Sequence, residues 1–196
     1  MTIQIIEESP ANLAEYATIP IAFEVREQFV VQPADSGLGG ITLHLEPVAT
    51  LYTKDYDAIS GHDPTDWPSR FDMGNWGVFV AMLDGERVGG AVVAWDTPGV
   101  DMLAGRADLA VLWDLRVAPG MRGQGVGRAL FTHAVQWAQS RGAQWLKVET
   151  QNINVPACRF YARQGCVLGA IDEFAYPTLP GEVQLMWYKK LAGGGA

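Results

Sequence analysis

The sequence has only two cysteines, Cys158 and Cys166, in 196 residues. Two thiols cannot build a disulfide framework, nor a four-ligand zinc site of their own, and both read as buried or idle. No metal site is expected. Long apolar runs are missing too, since none approaches the roughly 18 residues that span a bilayer. The opening segment MTIQIIEESP holds no basic cluster and no apolar signal core. A cytoplasmic protein with no membrane partner is therefore expected. Basic residues are scarce, 14 Lys and Arg against 22 Asp and Glu, for a net charge of −8. Nucleic-acid binding needs a basic face, so this balance argues against such a partner. It suits a cationic substrate, although solubility alone also accounts for it. No internal repeat and no long linker divides the chain, and its length suffices for one sizeable domain. A single domain over residues 1–190 is expected, with 191–196 (LAGGGA) as a frayed tail.

What is present is globular in composition, with 48% hydrophobic and 18% charged residues. Residues 111–161 organise the rest. An apolar strand over 109–117 carries one acid, Asp114, and one base, Arg116, and reads as buried on both faces. A break at Ala118-Pro119-Gly120 precedes Arg122-Gly123-Gln124-Gly125-Val126-Gly127. An amphipathic helix follows over about 125–141, with Leu130, Phe131, Ala134, Trp137 and Ala138 on its inner face and Gly142 as its cap. Strand, glycine-rich turn and helix together make an anion site. The first amides of a helix have no partner within it, and the dipole adds partial positive charge. Glycines there let a diphosphate approach the main chain. Competing readings remain. A dinucleotide fingerprint wants a different glycine spacing, though Glu149 lies downstream where its acid would fall. A Walker loop is absent, because no Gly-Lys-Ser/Thr follows. A tight turn without a ligand is the plain structural reading.

Elsewhere the chain reads as follows. Residues 2–7 make a first strand, and Ser9-Pro10 starts a short helix with Leu13, Tyr16 and Ala17 on one face. Residues 21–31 fit either helix or strand. A loop at 35–40 leads to a short strand at 41–45. Residues 55–75 interleave Asp55, Asp57, Asp63, Asp66 and Asp72 with Trp67, Phe71 and Trp76. Acids beside aromatic faces can hold an ammonium ion; a surface loop pinned by its tryptophans is the alternative. A hairpin pairs 76–83 with 88–96 through Asp84-Gly85, with Gly89 and Gly90 permitting a bulge. After a loop at 97–107 and the central strand and helix come a strand at 145–150 and a helix opened by Pro156 and closed by Gly165. Strands at 167–176 and 183–190 finish the chain around a turn at 177–181. His133 reads as exposed and is given no role.

Arg122-x-x-Gly125-x-Gly127, following Val117-Ala118-Pro119, resembles the signature of the GNAT acetyltransferase superfamily. Asn154-x-x-Ala157-x-x-x-Tyr161 resembles the family's second element. The run VETQNINVPAC at 148–158 and Gly169-Ala170-Ile171-Asp172 are similar to the streptothricin acetyltransferase branch. The resemblance covers roughly 110–177, with a weaker echo at Lys54-Asp55-Tyr56. It implies a mixed α/β (α+β) fold: a central, mostly antiparallel sheet of six to seven strands, flanked by helices. The sheet would be splayed between the family's fourth and fifth strands, here 109–117 and 145–150. It implies acetyl-CoA as cofactor, with the backbone amides of Arg122, Gly123, Gln124, Gly125, Val126 and Gly127 cradling the pyrophosphate and Arg122 adding charge. Main-chain groups of Leu115, Arg116 and Val117 would bond the pantetheine arm as an extra strand partner.

Asn154 matches a polar contact to the pantetheine, and a cap for the helix opened by Pro156 is an equal reading. Tyr161, seven residues on, matches the tyrosine that protonates the leaving thiolate. Relatives often place a general base at positions aligning with Val111 or Trp113, and this sequence has none there. Asp114 lies one residue off and would face the other way on a regular strand unless a bulge re-aims it. Glu149 is the other candidate, and a water relay the third; for either carboxylate, pairing with a nearby arginine is the plain reading. Trp76, Asp172 and Glu173 are candidates for the acceptor pocket. The reaction implied is acetylation of a primary amine on a small cationic molecule such as a streptothricin-like antibiotic. A protein or peptide amine acetyltransferase and a non-catalytic coenzyme A sensor are the alternatives. A homodimer is a habit of the family.

Overall fold

The structure, a computed structural model, describes residues 2–191. The expected tail lies outside the described residues except for Leu191, which is buried at 3% exposure and donates its amide to the Gln144 carbonyl at 2.8 Å. Leu191 is therefore packed, although it falls within the expected tail.

Among the described residues the elements are β1 (Gln4–Glu8), α1 (Leu13–Tyr16), β2 (Phe23–Pro33), β3 (Ile41–Lys54), α2 (Trp67–Arg70), β4 (Gly77–Leu83), β5 (Glu86–Trp95), β6 (Leu109–Val117), α3 (Val126–Ser140), β7 (Trp145–Gln151), α4 (Val155–Arg163), β8 (Val167–Asp172) and β9 (Gln184–Lys190). Seven strands form one sheet in the order β1-β4-β5-β6-β7-β9-β8, and β2 pairs with β3 separately. The sheet is mostly antiparallel, and β6–β7 is a parallel pair. This is the expected mixed α/β architecture. The segment 21–31, open in the sequence, is strand from Phe23 onward. The strand expected at 41–45 runs on to Lys54, because its hairpin partner β2 continues alongside it.

The chain divides into two compact units. One takes the chain up to Ala22, Asp55–Val148 and the chain from Tyr188; the other takes Phe23–Lys54 and Glu149–Trp187.

In the first unit β4 and β5 turn at Asp84 and Gly85, with φ of 51° and 85°, the left-handed pair that a two-residue hairpin requires. The bulge expected near Gly89 and Gly90 falls beside them at Val88, where Ala81 faces Gly89 but Met82 faces Arg87. The two glycines themselves serve close packing. A Cβ on Gly89 would lie 2.9 Å from Val126 of α3, and one on Gly90 would lie 2.3 Å from the Tyr16 ring of α1. Helix α3 covers one face through Leu130, Phe131, Ala134, Trp137 and Ala138, all buried. His133, expected to be exposed, is half-buried, its ring 4.7 Å from that of Phe79. The correction follows from the helical period, which brings His133 over the strand beside Trp137. Gly142, at φ 86°, ends α3 as expected. The other face carries Leu13, Tyr16, Trp67, Trp76, Val92 and Val111 in one apolar cluster.

In the second unit Asn152 joins three segments. Its side chain donates to the carbonyls of Phe29 and Gly181 at 2.9 and 3.2 Å and accepts the Val183 amide at 2.8 Å. Strand β8 stops at Asp172 rather than 176, because the Asp172 carboxylate accepts the Phe174 amide at 2.8 Å and turns the chain.

Candidate active site

Strand β6 pairs with β7 only over 109–112, from Leu109 opposite Trp145 to Leu112 opposite Val148. Past that point residues 114–117 keep their antiparallel pairing with β5. On that ladder Val93 faces Leu112 but Val92 faces Asp114, so Trp113 is an extra residue in β6. The bulge reverses the side-chain alternation. Val111 and Trp113 pack in the apolar cluster with Tyr16, and Asp114 and Arg116 reach Tyr16 as well. The re-aiming of Asp114 that a regular strand would forbid has taken place.

What Asp114 meets is a closed set of partners. The Tyr16 hydroxyl donates to its Oδ1 at 2.5 Å. Arg116 grips it with Nε and Nη2 at 2.9 and 2.8 Å. The same guanidinium grips Asp57 at 2.8 and 3.0 Å and donates to the Ile19 carbonyl at 3.1 Å. All five N–H donors of Arg116 are thereby used, and its side chain is wholly enclosed at 0% exposure. Burial works against its charge, but Asp114, Tyr16 and Asp57 outweigh it and raise its pKa. Burial first, then the charge of Asp114, raises the Tyr16 hydroxyl well above its ordinary value. Burial also raises the Asp57 carboxyl against the opposing pull of Arg116. The Arg116 guanidinium belongs to this internal network, because a charge on a strand buried on both faces must find anions inside.

The turn after β6 has the features of an anion cradle. Gly123 and Gly125 have φ of 79° and 89°, and a Cβ at either would meet no atom within 4 Å. Gly125 is the N-cap of α3 and no side chain caps it, so the first amides of a fifteen-residue helix remain unpaired within it. Gln124 bonds the Gly120 carbonyl at 2.9 Å across the turn. Arg122 donates to the carbonyls of Val117 and Ala22 at 3.0 and 2.9 Å, which fixes the loop against the end of β6. These residues fit a diphosphate held by main-chain amides.

In the second unit, Asn154 caps α4, its side chain accepting the Ala157 amide at 3.2 Å. Tyr161 lies two turns on and is buried at 5% exposure, its ring beside that of Phe160. Among the described residues Glu149 is bonded by neutral donors and not by an arginine. The Tyr176 hydroxyl and Gln151 donate to its Oε1, and Gln184 donates to its Oε2 at 2.9 Å. Burial, then the Glu149 charge, raises the Tyr176 hydroxyl and keeps it a donor. Trp76 is a core residue at 6% exposure, stacked on Phe71 and bonded to Thr97. Asp172 and Glu173 are exposed.

Tyr16, Asp57 and Tyr176 are the polar partners that sequence reasoning did not single out. Tyr16 looked like a core residue and Asp57 was one of five acids. The available signal was Arg116 itself, a cation on a buried strand that one neighbouring aspartate, also bonded to Tyr16, does not fully satisfy.

Residues 45–166 match the family model described as acetyltransferase (GNAT) family. A streptothricin acetyltransferase from Escherichia coli is 35% identical over 182 residues, 91% of each chain. The crystal structure of a nourseothricin acetyltransferase superposes with a TM-score of 0.77 at 27% identity, covering 98% of this chain and 100% of that one. A Bacillus anthracis protein assigned as a streptothricin acetyltransferase, solved with acetyl coenzyme A, gives 0.74 at 26% identity, covering 98% and 99%. The chain belongs to the GNAT family and is an N-acetyltransferase. Enzymes of this family use acetyl-CoA. No helix among the described residues is long and apolar enough to cross a membrane.

Proposed function

We propose that this N-acetyltransferase acetylates a primary amine of a small cationic molecule of the streptothricin type, and that antibiotic resistance is one outcome. The supporting observation is the 35% identity to a streptothricin acetyltransferase over 91% of both chains. The net charge of −8 agrees with a cationic acceptor. The single-domain reading of residues 1–190 and a cytoplasmic location belong to the same proposal.

Acetyl-CoA, when bound, supplies the activated acetyl group as a thioester. The amides of 122–127 hold the pyrophosphate, with Gly123 and Gly125 leaving the main chain open. Main-chain groups of Leu115, Arg116 and Val117 lie on the part of β6 past its pairing with β7 and orient the pantetheine arm. Glu149 would take a proton from the substrate ammonium and so leave the free amine as nucleophile; its carboxylate is oriented by Tyr176, Gln151 and Gln184. Tyr161 donates a proton to the departing thiolate. Asp114, paired with the buried Arg116 guanidinium through both oxygens, holds Arg116 in place instead of serving as base.

Calorimetric titration with acetyl-CoA, followed by thiol release in the presence of streptothricin and a panel of amines, tests the reading. Turnover on streptothricin supports it. Binding of acetyl-CoA without turnover on any amine points to a coenzyme A sensor. No binding removes the cofactor assignment.

A further inference from the structure

We propose that Asp57 is the specificity-determining residue for the acceptor: its carboxylate receives the substrate's ammonium group, and Arg116 positions it. This rests on the acetyl-transfer reading above.

Two carboxylates, Asp57 and Asp114, share one guanidinium, and Tyr16 stays neutral, so one negative charge is left over. Neutralising Arg116 alone required a single aspartate. Asp55 lies beside Asp57, accepting its amide at 3.1 Å, and adds to the negative field.

Side-chain exposure is 0% at Arg116, 7% at Asp114 and 19% at Asp57. Within the network, Asp57 is the member that meets a solute. Each of its oxygens takes one bond from Arg116, and a carboxylate oxygen has a second lone pair to offer. Asp114, in contrast, spends Oδ1 on both Tyr16 and Arg116.

Arg116 hangs Asp57 from the part of β6 that has left its pairing with β7. The half-buried Trp113 ring lies on the same face, linked to Tyr16 through Trp67 at centroid distances of 6.4 and 6.3 Å. A carboxylate carrying excess negative charge is the chemistry that selects an ammonium over a neutral amine or amide.

The test is steady-state kinetics on the wild-type protein and on Asp57→Asn and Asp57→Glu, with acetyl-CoA and streptothricin each varied in turn. Asparagine still offers Arg116 an amide oxygen, so Asp57→Asn is expected to fold, as thermal melting will check. Its streptothricin KM should rise about tenfold or more, the loss of one charge-assisted contact, while its acetyl-CoA KM stays put. Asp57→Glu should recover part of the loss. A folded Asp57→Asn protein with unchanged streptothricin KM overturns the assignment, as does a parallel rise in both KM values, which marks Asp57 as a strut. If Asp57→Asn fails to fold, Asp57→Glu decides: it keeps the charge but moves it, and an unchanged streptothricin KM overturns the proposal. Absence of wild-type turnover on every amine defeats the acetyl-transfer reading itself, a result separate from turnover that ignores Asp57.

Discussion

Arg116 and Asp57, 59 residues apart in sequence, meet through two parallel hydrogen bonds of 2.8 and 3.0 Å. The pair ties the acid-rich segment after β3 to the central strand. Replacing Arg116 with Met would leave Asp114 and Asp57 without their cation. A loss of about 3–5 kcal/mol is expected in urea denaturation. Arg116→Lys should restore little, because an ammonium cannot supply five planar donors. An Arg116→Met protein as stable as the wild type would show that the network contributes no stability.

Gly125 adopts φ 89° at the N-cap of α3. A β-branched side chain there is strained and stands where a diphosphate would approach. Gly125→Val should raise the acetyl-CoA dissociation constant by at least about tenfold, while circular dichroism still reports a folded protein. Unchanged affinity by calorimetry would refute the role of the turn.

Glu149 and Tyr161 are separable by kinetics. Glu149→Gln keeps the volume and removes the proposed base, so kcat should fall by about 10²–10⁴-fold, the usual worth of general acid–base catalysis. Tyr161→Phe should lower kcat more than it raises the acetyl-CoA KM. Full activity in either variant removes that residue's role.

The Asp57 carboxyl is raised above its ordinary value of 3.8 by burial, against the lowering effect of Arg116 and with Asp114 and Asp55 reinforcing the rise. It therefore takes up a proton at a higher pH than an unperturbed aspartate. Protonation removes the charge that binds a cation, so streptothricin KM should climb as pH falls toward that raised value. The climb should vanish in Asp57→Asn. Its persistence there would assign the pH dependence to another group.

Cys158 is buried at 1% exposure beside Thr150, and burial pushes its thiol up to about 11. Thiolate is the reactive form, so the folded protein at pH 8 should resist alkylation there and become reactive only on denaturation. Rapid labelling of Cys158 in the native protein, located by mass spectrometry, would contradict the packing described.

Local chemistry made much of the fold legible. The apolar run 109–117, the Asp84-Gly85 turn and the Gly125–Gly142 bounds of α3 are written in neighbouring residues, because strand period, left-handed turns and helix caps depend on the next few positions. The left-handed glycines of the turn before α3, Gly123 and Gly125, were legible for the same reason. Residues 21–31 were not, since a strand there is stabilised by β3, whose own length was equally hidden. Two further features required the tertiary structure. A single extra residue at Trp113 decides which face Asp114 and Arg116 occupy, and a bulge is set by register against β5. The identity of their partners, Tyr16 from α1 and Asp57 from the segment after β3, depends on packing between distant elements. Sequence determined that a cation lay in a buried strand and so needed anions; only the folded chain decided which carboxylates came, and that one more arrived than the cation required.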